Sequence, residues 1–340
     1  MARTLRNLIT AALLAVLGVS AAGAPAKAEE ASYILATAST GGTYYPVGVA
    51  ISTLVKVKLQ PKQKIAMSAI NSAGSGENVR LLREDEAQFA ILQGLFGYYA
   101  ATGTGPLAND GPQEGLRSVS MLWQNVEHFI VAADAASSGT IDDFVALKGE
   151  SMALGKRNSG TIGSNIAILG GLGVDAENDY SLVYGGYGPS AEALQNGQVK
   201  GISTPAGVPV GAVSQLLATK GDDVKILNFT DDQMASADGG RELWTRYVID
   251  AGTYPGQSAA VETIAQPNFL AVRADASEEN VYLITKTIYE NLPFLQAIHP
   301  ATKAMAIEKA IAGLPLALHP GAARYYAEVG IEIPDRLMAK

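Results

Sequence analysis

Three times in this 340-residue chain, a short apolar run ends in a turn of Gly, Ser and Thr that opens onto helical periodicity. The junctions are Ser39–Thr43 in "ATASTGGTYYPVG", Ser72–Gly76 in "INSAGSGENVRLL" and Ser159–Thr161 in "KRNSGTIGS". Buried strands alternating with amphipathic helices predict an α/β fold. Expected strands cover Tyr33–Ala38, Lys64–Ile70, Ala87–Gln93, Glu127–Asp134, Ser151–Gly155, Val199–Gly207 and Asn268–Asp275. Apolar residues at Val47, Ala50, Ile51, Leu54 and Val55 give the first helix one buried face, with Pro46 in its first turn. The second helix takes Ser75 as N-cap and turns Val79 and Leu82 inward; the third carries Ile162, Ile166 and Leu169 on one face. A short helix over Gly188–Gly197 takes Ser190 as cap, and a longer one runs from about Ser277 to Asn291.

Such junctions support a specific chemistry. The first N–H groups of a helix lack intrahelical partners and carry about half a positive charge, so they attract anions. Glycine lets a ligand reach the backbone, and hydroxyls add donors that rotate to suit. One such turn is ordinarily only a cap, but three in both halves of one chain predict a convergent anion pocket beyond the carboxyl ends of the strands. The candidate ligand contacts are Thr40, Gly41, Gly42, Thr43 and Tyr44 in the first turn, and Ser72, Ser75 and Asn78 in the second. Ser159, Gly160 and Thr161 supply the third, with Gln93 ending a strand and Thr204 following one. Of the adjacent Tyr44 and Tyr45, about 100° apart on a helix, one is expected to offer its O–H to a carboxylate and the other to pack. Tyr187 and Tyr254 are further candidates of the same type, with packing the alternative for each.

Charge and processing narrow the class. Arg3 and Arg6, the apolar run Leu8–Ala22 and the sequence Ala26-Lys27-Ala28 have the order of a secretory signal, so residues 1–28 are expected to be cleaved after Ala28. The remaining chain has 22 basic and 33 acidic residues, a net charge of −11, which argues against nucleic acid. It contains no Cys, hence no disulfide and no lipidation site, and it has length for two domains. His128, His299 and His319 lack metal-ligand spacing, and no Gly-x-Ser-x-Gly elbow or phosphate-loop spacing occurs. No metal, no cofactor and no catalysis are expected.

The motifs "ATASTGGTYYPVG", "INSAGSGENVRLL", "SGTIGSNIAILGGLGV", "AGTYPGQ" and "GLPLALHPGAARYYAEVG" occur in one order across the whole processed chain. Together they resemble the TAXI family, the solute receptors of one class of TRAP transporter. The resemblance implies a type II periplasmic-binding-protein fold, two lobes closing a ligand cleft on a small organic acid, and delivery to the membrane subunits of a TRAP permease. The expected organisation is lobe 1 over 29–130, lobe 2 over 131–250, and a return to lobe 1 with C-terminal helices over 251–340. A periplasmic monomer is expected, with a dicarboxylate, 2-oxoglutarate or glutamate as ligand.

Two departures from the family pattern matter. Lys156-Arg157-Asn158 precede the third turn where the family has small neutral residues, so Arg157 could clamp a carboxylate if turned inward; an outward, solvated pose is the expectation. Gly94-Leu95-Phe96 stand where the family commonly has a small polar residue and an aspartate, which removes a partner for an amino group. The rival readings are a receptor for an ATP-driven importer with a non-carboxylate ligand, a secreted enzyme on the same fold, and a structural envelope protein.

Overall fold

A computed structural model describes residues 30–338; the expected signal, residues 1–28, lies outside them. Eleven strands form two sheets. They are β1 (Ala31–Ala36), β2 (Ile65–Ile70), β3 (Phe89–Gln93), β4 (Leu116–Val126), β5 (Phe129–Ala132), β6 (Ser151–Ala153), β7 (Ser181–Leu182), β8 (Gly201–Ser203), β9 (Val224–Ile226), β10 (Thr245–Ile249) and β11 (Val261–Arg273). The first sheet runs β10-β11-β3-β1-β2, with β4 along the other edge of β11. Within it β1, β2 and β3 are parallel, the arrangement that needs crossover helices between consecutive strands. The second sheet runs β7-β6-β8-β5-β9.

The chain passes from the first sheet to the second through Glu127 and His128, between β4 and β5, and re-enters the first at β10. β11 is the spine of the first sheet. Its early residues pair with β10, its later ones with β3, and its other edge with β4 from Ala265 to Arg273. Side chains of β5 alternate as a strand must: Phe129 and Val131 enter one core cluster and Ile130 another, so the second sheet is covered on both faces. A third and larger core lies around the first sheet.

Local chemistry explains where the helices begin. The first, Tyr44–Gln63, buries Val47, Ala50, Ile51, Leu54 and Val55, the face expected from their spacing. The second, Ser75–Arg83, is capped not by Ser75 but by Gly74, whose φ of 122° a side chain would resist. Ser75 is the first helical residue, and its hydroxyl accepts the N–H of Gln93 at 3.1 Å. The helix Gly160–Gly171 buries Thr161, Ser164, Asn165, Ile168 and Leu169 while Ile166 is exposed, so the inward face is more polar than its isoleucines suggested. The helix expected from Gly188 begins one residue earlier, at Tyr187, with Gly186 and not Ser190 at its cap. β4 carries no expectation from the sequence, and β11 begins seven residues before the strand expected there.

Candidate functional site

The three Gly/Ser/Thr turns meet at one cavity between the sheets. Ser39, Gly42, Thr43 and Tyr44 come from the first turn, Ala73, Gly74 and Ser75 from the second, and Gly160 and Thr161 from the third. Tyr187 adds the start of a fourth helix, Tyr187–Gln195, and Gln93, Asn125, Pro205 and Ala206 complete the wall with Ala38. Each of the four helices has nine residues or more, and all present their N-terminal ends here. Their unpaired N–H groups and partial positive charges therefore add at one place. No charged side chain lines the cavity among the described residues. The cavity volume is about 30 Å³, so its walls stand close together.

Hydrogen bonds tie the lobes together at this wall. Gln93 Nε2 donates to the Gly160 carbonyl at 2.8 Å, while Asn125 Nδ2 donates to Gln93 Oε1 at 3.3 Å. Thr43 Oγ1 donates to the Gly207 carbonyl at 2.9 Å, and the Glu77 N–H donates to the Asn158 carbonyl at 2.9 Å. The Tyr187 hydroxyl donates to the Pro205 carbonyl at 2.5 Å, so Thr161, 2.9 Å away, must donate to the Tyr187 oxygen. A side chain at Gly42 would stand 3.1 Å from the Tyr187 ring, which shows how closely the turn approaches the opposite lobe.

Tyr44 is buried, and its O–H donates to Asn268 Oδ1 in β11. Its proton is engaged inside the protein, so the face it turns to the cavity is an oxygen lone pair and the ring. The ring packs edge-on against Trp123 at 6.0 Å. Burial raises the pKa of both Tyr44 and Tyr187, and the nearby Glu127 charge adds to the effect, so both are neutral hydroxyls over the working pH range. Tyr45 is half-buried and outside the lining.

Other sequence candidates lie behind or beside the wall. Ser72 and Asn78 brace the second turn: their side-chain oxygens are 2.6 Å apart, Asn78 Nδ2 donates to the carbonyls of Thr37 and Ile91, and the Gly74 N–H donates to Ser72 Oγ. Ser159 caps its helix by accepting the Ile162 N–H at 3.1 Å. Thr40 is exposed, and Gly41 abuts Gly188 and Tyr187 of the other lobe without entering the lining. Thr204 is buried with its Oγ1 unpartnered and donates its N–H to the His128 carbonyl, one residue short of the wall. Arg157 is exposed, its guanidinium 3.8 Å above the Tyr184 ring and outside the cavity. Tyr254 is buried in the second core, where its hydroxyl donates to His128 Nε2 at 2.7 Å and accepts the Val210 N–H at 3.0 Å.

Asn125 and Asn268 escaped the sequence reading. An amide near the end of an otherwise apolar run, as in "SMLWQNV", is the signal that points to the first. Asn268 follows Pro267, which disguises a long central strand.

A model of the NMT1-like family matches residues 35–330. Among solved structures, MatC from Rhodopseudomonas palustris with bound malate is 16% identical, with a TM-score of 0.55, covering 88% of this chain and 98% of its own. A structure from Bordetella bronchiseptica RB50 is also 16% identical, with a TM-score of 0.53 and coverages of 91% and 86%. The alkanesulfonate-binding protein SsuA from Xanthomonas axonopodis pv. citri, bound to MOPS, is 13% identical, with a TM-score of 0.45 and coverages of 88% and 85%. The two matches with TM-scores above 0.5 show the fold, the two-lobed type II periplasmic-binding-protein architecture. No helix among the described residues is long and apolar enough to cross a membrane.

Proposed function

The chain belongs to the NMT1-like family, and from that premise we propose that it is an exported receptor that closes its lobes on a small organic acid. The acid is of the dicarboxylate, 2-oxoglutarate or glutamate type, and the receptor hands it to the membrane subunits of a TRAP permease, as the TAXI resemblance implies. Residues 1–28 direct export and are removed, leaving a periplasmic monomer with lobes over 29–130 and 131–250 and a return over 251–340. The observation that carries this reading is the convergence of four helix starts on one narrow cavity. A carboxylate there meets backbone donors and helix dipoles at close range, where such interactions are strongest. The malate in the MatC structure, a C4 dicarboxylate held on the same fold, supports the size class.

Gly42, Thr43, Tyr44, Ser75 and Gln93 would form one side of the contact set, Gly160, Thr161 and Tyr187 the other, with Thr40 and Gly41 outside it. Ser72, Asn78 and Ser159 act by holding those residues. No Asp or Glu lines the cavity among the described residues, so an ammonium group has no anionic partner, and a plain acid is favoured over glutamate. Catalysis finds no support at the wall: Ser75 accepts a backbone N–H and Thr161 donates to a tyrosine, and neither stands beside a base.

A second reading rests on the same lining. A wall without Arg or Lys also suits a neutral polar solute, as for a receptor of an ATP-driven importer. A thermal-shift screen of residues 29–340 against succinate, malate, 2-oxoglutarate, glutamate, their amides and neutral sugars separates the two. A ligand at about 100 times its Kd stabilises the fold by about 2.7 kcal/mol. Shifts confined to the acids support the proposal; shifts from amides or sugars alone would replace it with the second reading.

A further inference from the structure

Where the chain first crosses between the sheets, it buries a carboxyl group beside the cavity. Glu127 is fully buried between β4 and β5, two residues beyond the cavity-lining Asn125. Its Oε1 accepts from Trp244 Nε1 at 3.4 Å, and its Oε2 has no hydrogen-bond partner. No ion pair among the described residues includes it.

The groups facing it are few. Trp244 stands just before β10, and from β11 come Thr263, which donates to the Glu127 carbonyl at 2.8 Å, and Gln266, whose Nε2 is also unpartnered. Strand register pairs Gln266 with Asn125, which lines the cavity two residues before Glu127. Its neighbour His128 turns away, with Nδ1 on the Val126 carbonyl and Nε2 on Tyr254, and burial pulls its pKa down to about 4, so it is neutral.

An unpaired carboxylate in such surroundings is costly, and the remedy is to hold a proton. Burial accordingly pushes the Glu127 pKa up to about 8, against the weaker opposing pull of the Trp244 N–H. Asn125 lines the cavity two strand residues, about 7 Å, before Glu127, so an anion held there lies close to any charge on Glu127. Two negative charges at that range, one of them fully buried, repel each other.

We propose that Glu127 must hold its proton for an organic anion to be captured in the cavity, so that ligand binding is coupled to proton binding and weakens as the pH rises. This coupling rests on the organic-acid reading of the cavity. It gives the receptor a way to favour capture on the acidic side and release on the alkaline side without any charged residue in the lining. The proton comes from solvent, and no bond to the ligand is made.

Trp123 and Trp244 are the two tryptophans of the chain, so Trp123→Phe leaves the indole that touches Glu127 as the single reporter. Its emission, titrated between pH 6 and 10, is expected to show one transition that Glu127→Gln abolishes. Saturating malate or 2-oxoglutarate is expected to move that transition upward by about one pH unit, a tenfold change in proton affinity. As a check on the unaltered chain, calorimetric titration at pH 8 in phosphate and in Tris should give binding enthalpies that differ by the heat of transferring about 0.4 of a proton from buffer, the uptake that a one-unit shift from about 8 produces.

A transition absent, or unchanged in Glu127→Gln, overturns the proposal. Binding of either acid with no proton exchange overturns the coupling while leaving the receptor for acids in place. Binding of neither acid overturns the organic-acid reading, and the coupling falls with it.

Discussion

The side-chain amide of Gln93, at the end of β3, donates to the carbonyl of Gly160, the first residue of a helix in the opposite lobe, at 2.8 Å. One residue therefore both lines the cavity and fastens its two walls together. Gln93→Ala removes this bond and the acceptor for Asn125 Nδ2. Ligand affinity is expected to fall by about 1–3 kcal/mol, read by calorimetry, while the melting temperature without ligand falls by only a few degrees.

Closure depends equally on a glycine. A Cβ at Gly76 would stand 2.5 Å from the Asn158 carbonyl oxygen, a backbone atom of the other lobe. Gly76→Ala is expected to leave each lobe folded but prevent their full approach. In small-angle scattering at saturating ligand, the variant should keep a larger radius of gyration than the parent chain, and its affinity should drop at least tenfold. An identical radius would show that the lobes do not close through this contact.

The Tyr44–Asn268 pair links the wall to the core. Tyr44→Phe leaves the fully buried Asn268 with an unanswered Oδ1, a loss of about 1–3 kcal/mol in stability. Replacing both, with Asn268→Leu in the Tyr44→Phe background, should recover part of that loss, because no polar atom is then stranded. Denaturant melts of the two single variants and the double variant give the coupling directly.

Two buried neighbours give stability opposite dependences on pH. Glu127 has a folded pKa of about 8 against an ordinary 4.5, so its contribution is fully present below pH 4.5 and lost as the pH rises through 8. His128 has a folded pKa of about 4 against 6.5, so its contribution is present above pH 6.5 and lost as the pH falls through 4. Thermal melts should show the parent chain losing several degrees between pH 6.5 and 8.5. Glu127→Gln should flatten that limb and steepen the acid limb, because between pH 6.5 and 4.5 the protonated Glu127 offsets the loss at His128.

The legible part of the site was its backbone chemistry. Glycines and hydroxyls at strand-to-helix junctions mark helix starts whatever the rest of the fold does, so all three turns and the apolar face of Tyr44–Gln63 could be read from spacing. The division of labour within each turn could not. Ser72, Asn78 and Ser75 are alike in a linear pattern, yet two brace the turn from behind and the third faces the cavity, a distinction set by the neighbouring carbonyls of Thr37 and Ile91. Asn125 and Asn268 were hidden for another reason. They sit on β4 and β11, whose pairing spans some 140 residues of sequence and includes register shifts on either side of Phe269 and Leu270. Long-range pairing with a proline in the strand leaves little trace in local periodicity. The same limit applied to Glu127, whose burial among Trp244 and Gln266 depends on that pairing.

The central claim is that the cavity holds an anion by helix starts and polar groups, without a cationic side chain. Calorimetric titration of residues 29–340 with malate and with malamide, in which both carboxylates are amides of nearly the same shape, tests it most directly. The account predicts that malate binds at least a hundredfold more tightly than malamide, about 2.7 kcal/mol. Equal affinities, or tighter binding of the amide, would contradict it.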